Sequence, residues 1–336
     1  MPFVAQWEQR PEVDGFLRHH LGVDLTVTRV AGDASFRSYH RITTPTLTRI
    51  LMDAPPDRED SAPFVDLSAF LDRHGIRVPR VLAAAPEHGL YLLDDLGDLT
   101  FLRALQAGAP PADRLYEAAV ATLVNLQATP LDNTCVAHRR PYDRRLLAFE
   151  LSLFTDWYVE GIRKTPIPPR DRQRFAAVFE RLMAGILAQP VVLVHRDYHS
   201  RNLMWTADEQ VGVIDFQDGV VGPVTYDLAS LLRDCYIAWP APFRQRMMDL
   251  WLDQAGDRLG YRPGPEAFQR DFDWMAVQRN LKAVGIFGRL SLRDGKHGYL
   301  HDIPRTLGYV RETLPRHPEL ADLAALIDQY APREGD

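Results

Sequence analysis

Only two of the 336 residues are cysteine, Cys135 and Cys235, too few for a disulfide framework or a cysteine-based metal quartet. A reducing compartment is the expected setting. The chain has no apolar run of the ~18 residues that a membrane-spanning helix needs. Its opening MPFVAQWEQRPEVDGF puts Glu8, Glu12 and Asp14 where an export signal would need an apolar core. A soluble, cytoplasmic protein without a membrane partner is therefore expected. The formal charge of -6 lacks the basic excess of a nucleic-acid binder. Lysine is scarce as well: it occurs only at Lys164, Lys282 and Lys296, every other basic residue being arginine. No internal repeat or low-complexity tract is present, and no obligate protein partner is inferred.

What remains is ordinary globular composition in a chain long enough for two lobes, each with its own core. The spacing predicts a short helix over 11–21, then alternating strands at 25–30, 36–42 and 47–52 separated by the turn AGDAS and a Thr-Pro break. Helical spacing over 63–74 stops at Gly75. Strands near Val81 and in LYLLDDLG close a β-rich part. From Pro111 onward the pattern becomes helical: 113–127, 142–160, 170–187, the VTYDLASLLRDCYIAW run, 241–259, 265–290, 303–313 and 318–330. The expected division is a lobe over 1–95 and a larger, mostly helical lobe over 96–336.

One stretch carries chemistry. LVHRDYHSRNLMWTADEQVGVIDFQD, from Leu193 to Asp218, places Asp197 five residues before Asn202. It then runs an apolar hairpin through Leu203, Val211, Val213 and Ile214 and delivers a second carboxylate, Asp215. Transfer of a terminal phosphoryl group needs metal ions bridging its oxygens and a carboxylate beside the acceptor hydroxyl. Asp197 suits the acceptor's proton, while Asn202 and Asp215 are hard oxygen ligands suited to Mg2+. A short hairpin would bring all three together. ATP and Mg2+ are the expected cofactors.

A small β lobe, a hinge and a helical lobe carrying HRDxxxxN and a later Asp resemble the protein kinase-like fold, an α+β bilobal architecture, in its aminoglycoside phosphotransferase branch. GDASFRSYHR at 32–41, MDAPP at 52–56, VHRDYHSRNLM at 194–204, IDFQDGVVGPVTYDLASLLRD at 214–234 and QRNLKAVGIFGRL at 278–290 are similar to the anomeric kinases of N-acetylmuramic acid and N-acetylglucosamine in bacterial cell-wall recycling. The resemblance implies that Asp197 is the catalytic base and that Asn202 and Asp215 hold magnesium. It further implies that Asp227 braces the catalytic loop's backbone, with His195 shaping that loop. A kinase of another small alcohol, of the aminoglycoside, choline or homoserine type, and a non-catalytic nucleotide-binding regulatory protein remain as other readings.

Two departures matter. Protein kinases carry a phosphate-binding lysine on the third strand, where this chain reads LTRILMDAP with Met52. Strand parity puts Arg37 on the face of Tyr39, the expected adenine neighbour, and makes Arg37 the candidate replacement cation; a solvated strand arginine is the other reading. The turn Gly32, Asp33, Ser35, with its single glycine, is the candidate phosphate cover, and the backbone from Asp94 through Leu96 to Gly97 the candidate adenine hinge. Second, Tyr226 follows Asp215 by only eleven positions. No long activation segment fits, so a small-molecule acceptor, an amino sugar, is expected.

Acceptor contacts are expected from His199, Arg201, Gln217 and Asp218, the first two also suiting loop shaping or phosphate contact. Arg279 and Lys282, three residues apart, fall on neighbouring helix positions. The resemblance makes them candidates for the lactyl carboxylate of N-acetylmuramate, against the plainer reading of a solvated helix face.

Overall fold

The alternating stretches near the N-terminus pair into one antiparallel sheet. In the computed structural model, which describes residues 10–30 and 36–333, helix α1 (Pro11–Leu21) precedes strands β1 (Thr26–Arg29), β2 (Ser38–Thr43) and β3 (Thr48–Asp53). Helix α2 (Ala62–Arg73) follows, and β4 (Val81–Ala85) and β5 (Leu90–Asp94) complete the order β1-β2-β3-β5-β4. The period of two sorts the side chains between faces. Ile42, Leu51, Leu90 and Leu92 pack with Val13, Phe16 and Leu17 of α1. Met52, Tyr91 and Leu93 join Phe64, Leu67, Phe70 and Leu71 of α2 in the main core. Register sets Tyr39 opposite Met52 and Arg41 opposite Ile50, so both lie on the α2 side, as parity required. The expected turn residues Gly32, Asp33 and Ser35 lie outside the described residues.

Helices dominate after the sheet: α3 (Phe101–Ala107), α4 (Ala112–Gln127), α5 (Arg144–Leu153), a π-helical stretch over Phe154–Ile162, and α6 (Pro169–Leu187). Four short strands follow, β6 (Val191–Val194), β7 (Leu203–Trp205), β8 (Val211–Val213) and β9 (Val220–Pro223), then α7 (Tyr226–Leu232), α8 (Ala241–Arg258), α9 (Pro265–Asp294), α10 (Ile303–Thr313) and α11 (Ala321–Tyr330). β7 and β8 form the expected hairpin, with Leu203 opposite Val213. β6 pairs with β9, from Val191 opposite Pro223 to Val194 opposite Val220, and frames the catalytic loop between them.

Two elements differ from the expectation. The single helix read over 142–160 starts later, where the Asp143 side chain accepts the Leu146 N–H at 2.9 Å, and passes into π geometry at Phe154. Across the interface the GIFG of α9 packs closely against this stretch. A Cβ at Gly285 would stand 2.3 Å from the Leu153 carbonyl carbon, and one at Gly288 2.8 Å from the Trp157 oxygen. Only glycine admits that approach. Helix α7 ends at Leu232, well before the apolar run does, because Arg233 leaves the helical region and the Asp234 carboxylate turns to cap the Tyr236 N–H at 2.8 Å.

Helix α9 is the axis of the larger lobe. Every residue from Phe272 to Gly285 is buried, although Asp273, Gln278, Arg279, Asn280 and Lys282 are among them. Polar groups in such a position need partners. Several of those partners lie beneath the catalytic loop.

Candidate active site

The loop from His195 to Asn202 is held by carboxylates on its inner side. Asp227, in the first turn of α7, accepts the His195 N–H at 2.6 Å and the Arg196 N–H at 3.0 Å. Asp234, seven positions further along, accepts the Ser200 N–H at 3.0 Å. Arg196 has φ +79°, a left-handed conformation costing a residue with a side chain ~1–3 kcal/mol, so the bracing is what makes the bend tenable. His195 receives the Asp197 N–H at Nδ1, 3.2 Å away, which leaves Nε2 protonated and donating to the Ile214 carbonyl at 2.9 Å. Both nitrogens are committed to backbone.

The three chemical residues converge as the spacing required. The Asn202 amide donates to the Asp197 carbonyl at 3.0 Å and to Asp215 Oδ2 at 3.2 Å, and the Ile214 N–H donates to the Asn202 carbonyl at 3.0 Å. Gln217 Nε2 donates to Asp215 Oδ1 at 2.8 Å. Because the Asn202 nitrogen faces the two aspartates, its Oδ1 is turned outward. One amide oxygen and one carboxylate is a donor set that fits Mg2+, which keeps waters and phosphate oxygens among its ligands and needs no all-protein cage. Gln217 thus bonds the Asp215 carboxylate, with its own Oε1 buried and unpartnered. Asp218 is exposed at the rim.

Charge gathers around Asp197. Burial pushes its carboxyl up, but the cations Lys282, Arg279 and Arg196 hold it well below the usual carboxylate range. It is ionised at any working pH. Burial lowers His199 to about 4, making it a neutral imidazole; its Nδ1 is buried without a partner. Arg279 and Lys282 are not the surface cations the sequence suggested, being 4% and 5% exposed. Lys282 Nζ donates to the Tyr226 hydroxyl at 2.8 Å and pairs with Glu150 at 3.2 Å. Arg279 Nη1 lies 2.9 Å from the Cys235 sulfur. The burial of α9 on all sides excludes a solvated helix face, and both cations lie close enough to act on the Asp197 carboxylate.

Glu150, on α5, was not anticipated. Its carboxylate, 1% exposed, accepts from Arg196 Nη2 at 2.5 Å, Gln278 Nε2 at 3.0 Å and the Tyr142 hydroxyl. The available signal was an acid within the apolar stripe Leu147, Glu150, Leu151, Phe154.

At the nucleotide end, Arg37 is buried: its Nε lies 3.5 Å from Glu59, and its guanidinium stands 6.0 Å from the Phe64 ring. Phe64 stacks on Phe216, the neighbour of Asp215, at 5.0 Å. Arg37 is therefore no solvated strand arginine. Arg41 bonds Asp95 at 2.6 Å and Asp98 at 2.7 Å, tying β2 to the segment after β5. The Asp94 N–H donates to the Arg80 carbonyl at 3.1 Å and its carboxylate meets Arg80 Nε at 2.5 Å. Its amide is thus committed within the sheet, and the Leu96 side chain packs close to Gly212.

A family model described as the phosphotransferase enzyme family matches residues 26–263. The chain belongs to this family. The N-acetylmuramate/N-acetylglucosamine kinase of Pseudomonas aeruginosa is 40% identical over 298 residues, covering 88% of this chain and 86% of the relative. The protein of the same description from Neisseria meningitidis serogroup B is 40% identical over 310 residues and covers 90% of each. Among solved structures, the Plasmodium vivax ethanolamine kinase matches with a TM-score of 0.63 at 11% identity, over 90% of this chain and 88% of that one. At that identity the likeness is one of fold, the bilobal α+β architecture of the phosphotransferase family.

One pH dependence follows from the brace. Burial raises Asp227 to about 6 against the pull of His195 and the two N–H donors. Protonation removes a charge-assisted acceptor from the loop, so kcat is expected to fall as pH drops through about 6. The stability sign is opposite. A carboxyl raised from 3.8 stabilises the fold fully below that value and loses the contribution as pH rises through about 6. A pH–rate profile recorded beside thermal melts should therefore show activity lost on acidification before any unfolding that Asp227 controls.

Proposed function

We propose that this protein is an ATP-dependent kinase that phosphorylates N-acetylmuramate and N-acetylglucosamine at the anomeric hydroxyl, giving sugar 1-phosphates in a cytoplasmic cell-wall recycling route. The observation that carries the reading is the convergence of Asp197, Asn202 and Asp215 on a doubly braced loop in a chain 40% identical to kinases named for those two sugars. The buried positive groups at the acceptor end, Arg279 and Lys282, weigh against a polycationic antibiotic as acceptor. A small amino sugar is the partner the reading requires, with neither nucleic acid nor membrane involved. Among the described residues no helix is long and apolar enough to cross a membrane.

Each residue has a part. Asp197, ionised and fixed by Asp227 and Asp234, accepts a hydrogen bond from the anomeric hydroxyl, aligns its oxygen for in-line attack and takes its proton as the transfer completes. Asn202 and Asp215 would hold Mg2+, which when bound neutralises charge on the nucleotide's phosphate oxygens. His199, neutral and with an unpartnered Nδ1, suits a sugar hydroxyl. Leu96 presents hinge backbone to adenine beside Tyr39. The lobes divide at the end of β5, giving 1–95 for nucleotide and 96–336 for catalysis and acceptor.

Arg37, paired with Glu59 and joined through Phe64 and Phe216 to Asp215, is the phosphate cation in place of a strand lysine. Arg37→Ala is expected to raise the KM for ATP about tenfold or more, the worth of one charge-assisted bond, with a smaller change in sugar KM. An unchanged ATP KM would remove Arg37 from that role. The functional reading itself is tested by following ATP consumption with N-acetylmuramate, N-acetylglucosamine, glucose and an aminoglycoside. Turnover confined to the aminoglycoside, or absent with every acceptor, would contradict it.

A further inference from the structure

Lys282 and Arg279 are engaged with Glu150, Tyr226 and Cys235, so a further cation facing solvent would supply counter-charge to an acidic acceptor. Arg201 is positioned for this. It directly precedes Asn202 on the catalytic loop, and its side chain is exposed. Its guanidinium stands 4.3 Å from the Tyr236 ring centre and 5.5 Å from that of Tyr299. Tyr299 in turn stacks on Phe287 of α9 at 5.7 Å, and Tyr236 meets the His199 ring edge-on at 5.3 Å. Since the His199 N–H donates to the Asp197 carbonyl at 3.0 Å, a continuous line runs from the catalytic residue through His199 and Tyr236 to Arg201. Among the described residues, no carboxylate pairs with Arg201.

Such a guanidinium is prepared for a ligand. Packing against aromatic rings restricts its plane, and a guanidinium's fork of N–H donors can meet a carboxylate with two parallel hydrogen bonds. Aromatic packing also removes much of the side-chain freedom that binding would otherwise have to restrict. An arginine kept only for loop packing would more commonly find a carboxylate in its own chain, as Arg196 does in Glu150 and Arg41 does in Asp95.

We propose that Arg201, clamped by Tyr236 and Tyr299, receives the carboxylate of the acceptor and sets the preference between the two amino sugars. The inference rests on the reading above, because it takes N-acetylmuramate, with a lactic acid ether on its ring, and N-acetylglucosamine, without one, as the two acceptors. With the anomeric hydroxyl at Asp197, the ether-linked acid extends along the sugar toward the loop's far end. The neutral His199 and the tyrosine rings lie along the sugar between them.

The test compares kcat/KM for N-acetylmuramate, its lactamide and N-acetylglucosamine in the native protein and in Arg201→Ala and Arg201→Lys. The native ratio of acid to amide should be large and should collapse at least tenfold in Arg201→Ala, the loss appearing mainly in KM. Arg201→Lys should recover it only in part, because an ammonium lacks the planar fork. The preference for N-acetylmuramate over N-acetylglucosamine should fall by the same factor. An acid-to-amide ratio unaltered by Arg201→Ala would overturn the assignment while leaving the sugar-kinase reading intact, as would an equal loss on all three acceptors. A native protein that phosphorylates none of the three would overturn both.

Discussion

Asp197→Asn is expected to lower kcat about 10³-fold, within the range that a positioned general base contributes, while ATP still binds by calorimetry. The substitution keeps shape and removes the charge that the site is built around. Asp197 is held ionised against burial by Lys282, Arg279 and Arg196. Its backbone is fixed from both sides, since Asn202 binds its carbonyl and His195 its N–H. An asparagine in that frame can contact the acceptor hydroxyl but cannot take its proton. Retained turnover would exclude Asp197 as the base, and loss of ATP binding would point to a disrupted loop. Circular dichroism of the variant separates these two outcomes from misfolding.

The second large effect concerns stability. Glu150→Gln removes the one carboxylate that neutralises both Arg196 and Lys282 inside the larger lobe. Leaving buried charge without its partner costs about 3–5 kcal/mol, a large share of the ~5–15 kcal/mol that typically holds a domain together. The denaturant midpoint should drop accordingly, and kcat should fall too, because Arg196 adjoins Asp197. Pairing Glu150→Leu with Lys282→Met should recover part of the loss by removing one cation along with its partner. A Glu150→Gln protein with native stability would mean that water already screens the network.

The catalytic stretch was legible because covalent spacing did most of the work. Five positions separate Asp197 from Asn202, and a hairpin of apolar strands returns the chain to Asp215. Strand parity correctly put Tyr39 and Arg41 on one face. What was not legible shares a cause. Spacing on an isolated helix does not show the burial of Arg279 and Lys282, whereas α9 is surrounded by α5, the π-helical stretch, α7 and α10. Glu150 meets Arg196, 46 residues away, and Gln278, 128 residues away, and local pattern does not encode such pairings. The break at Phe154 was hidden as well, the two glycines packed against that stretch lying more than a hundred positions downstream. The Arg201 clamp joins three separate segments through residues that each look ordinary in their own.

The central claim is that Asp197 directs a phosphoryl group onto the anomeric hydroxyl of an N-acetylated amino sugar. Phosphorus NMR of the product formed from ATP, Mg2+ and N-acetylmuramate tests it most directly. The account predicts a single sugar phosphate whose phosphorus couples to the anomeric proton, formed by the native protein and not by Asp197→Asn. A phosphate coupled instead to the C6 protons, or no sugar phosphate at all, would contradict it.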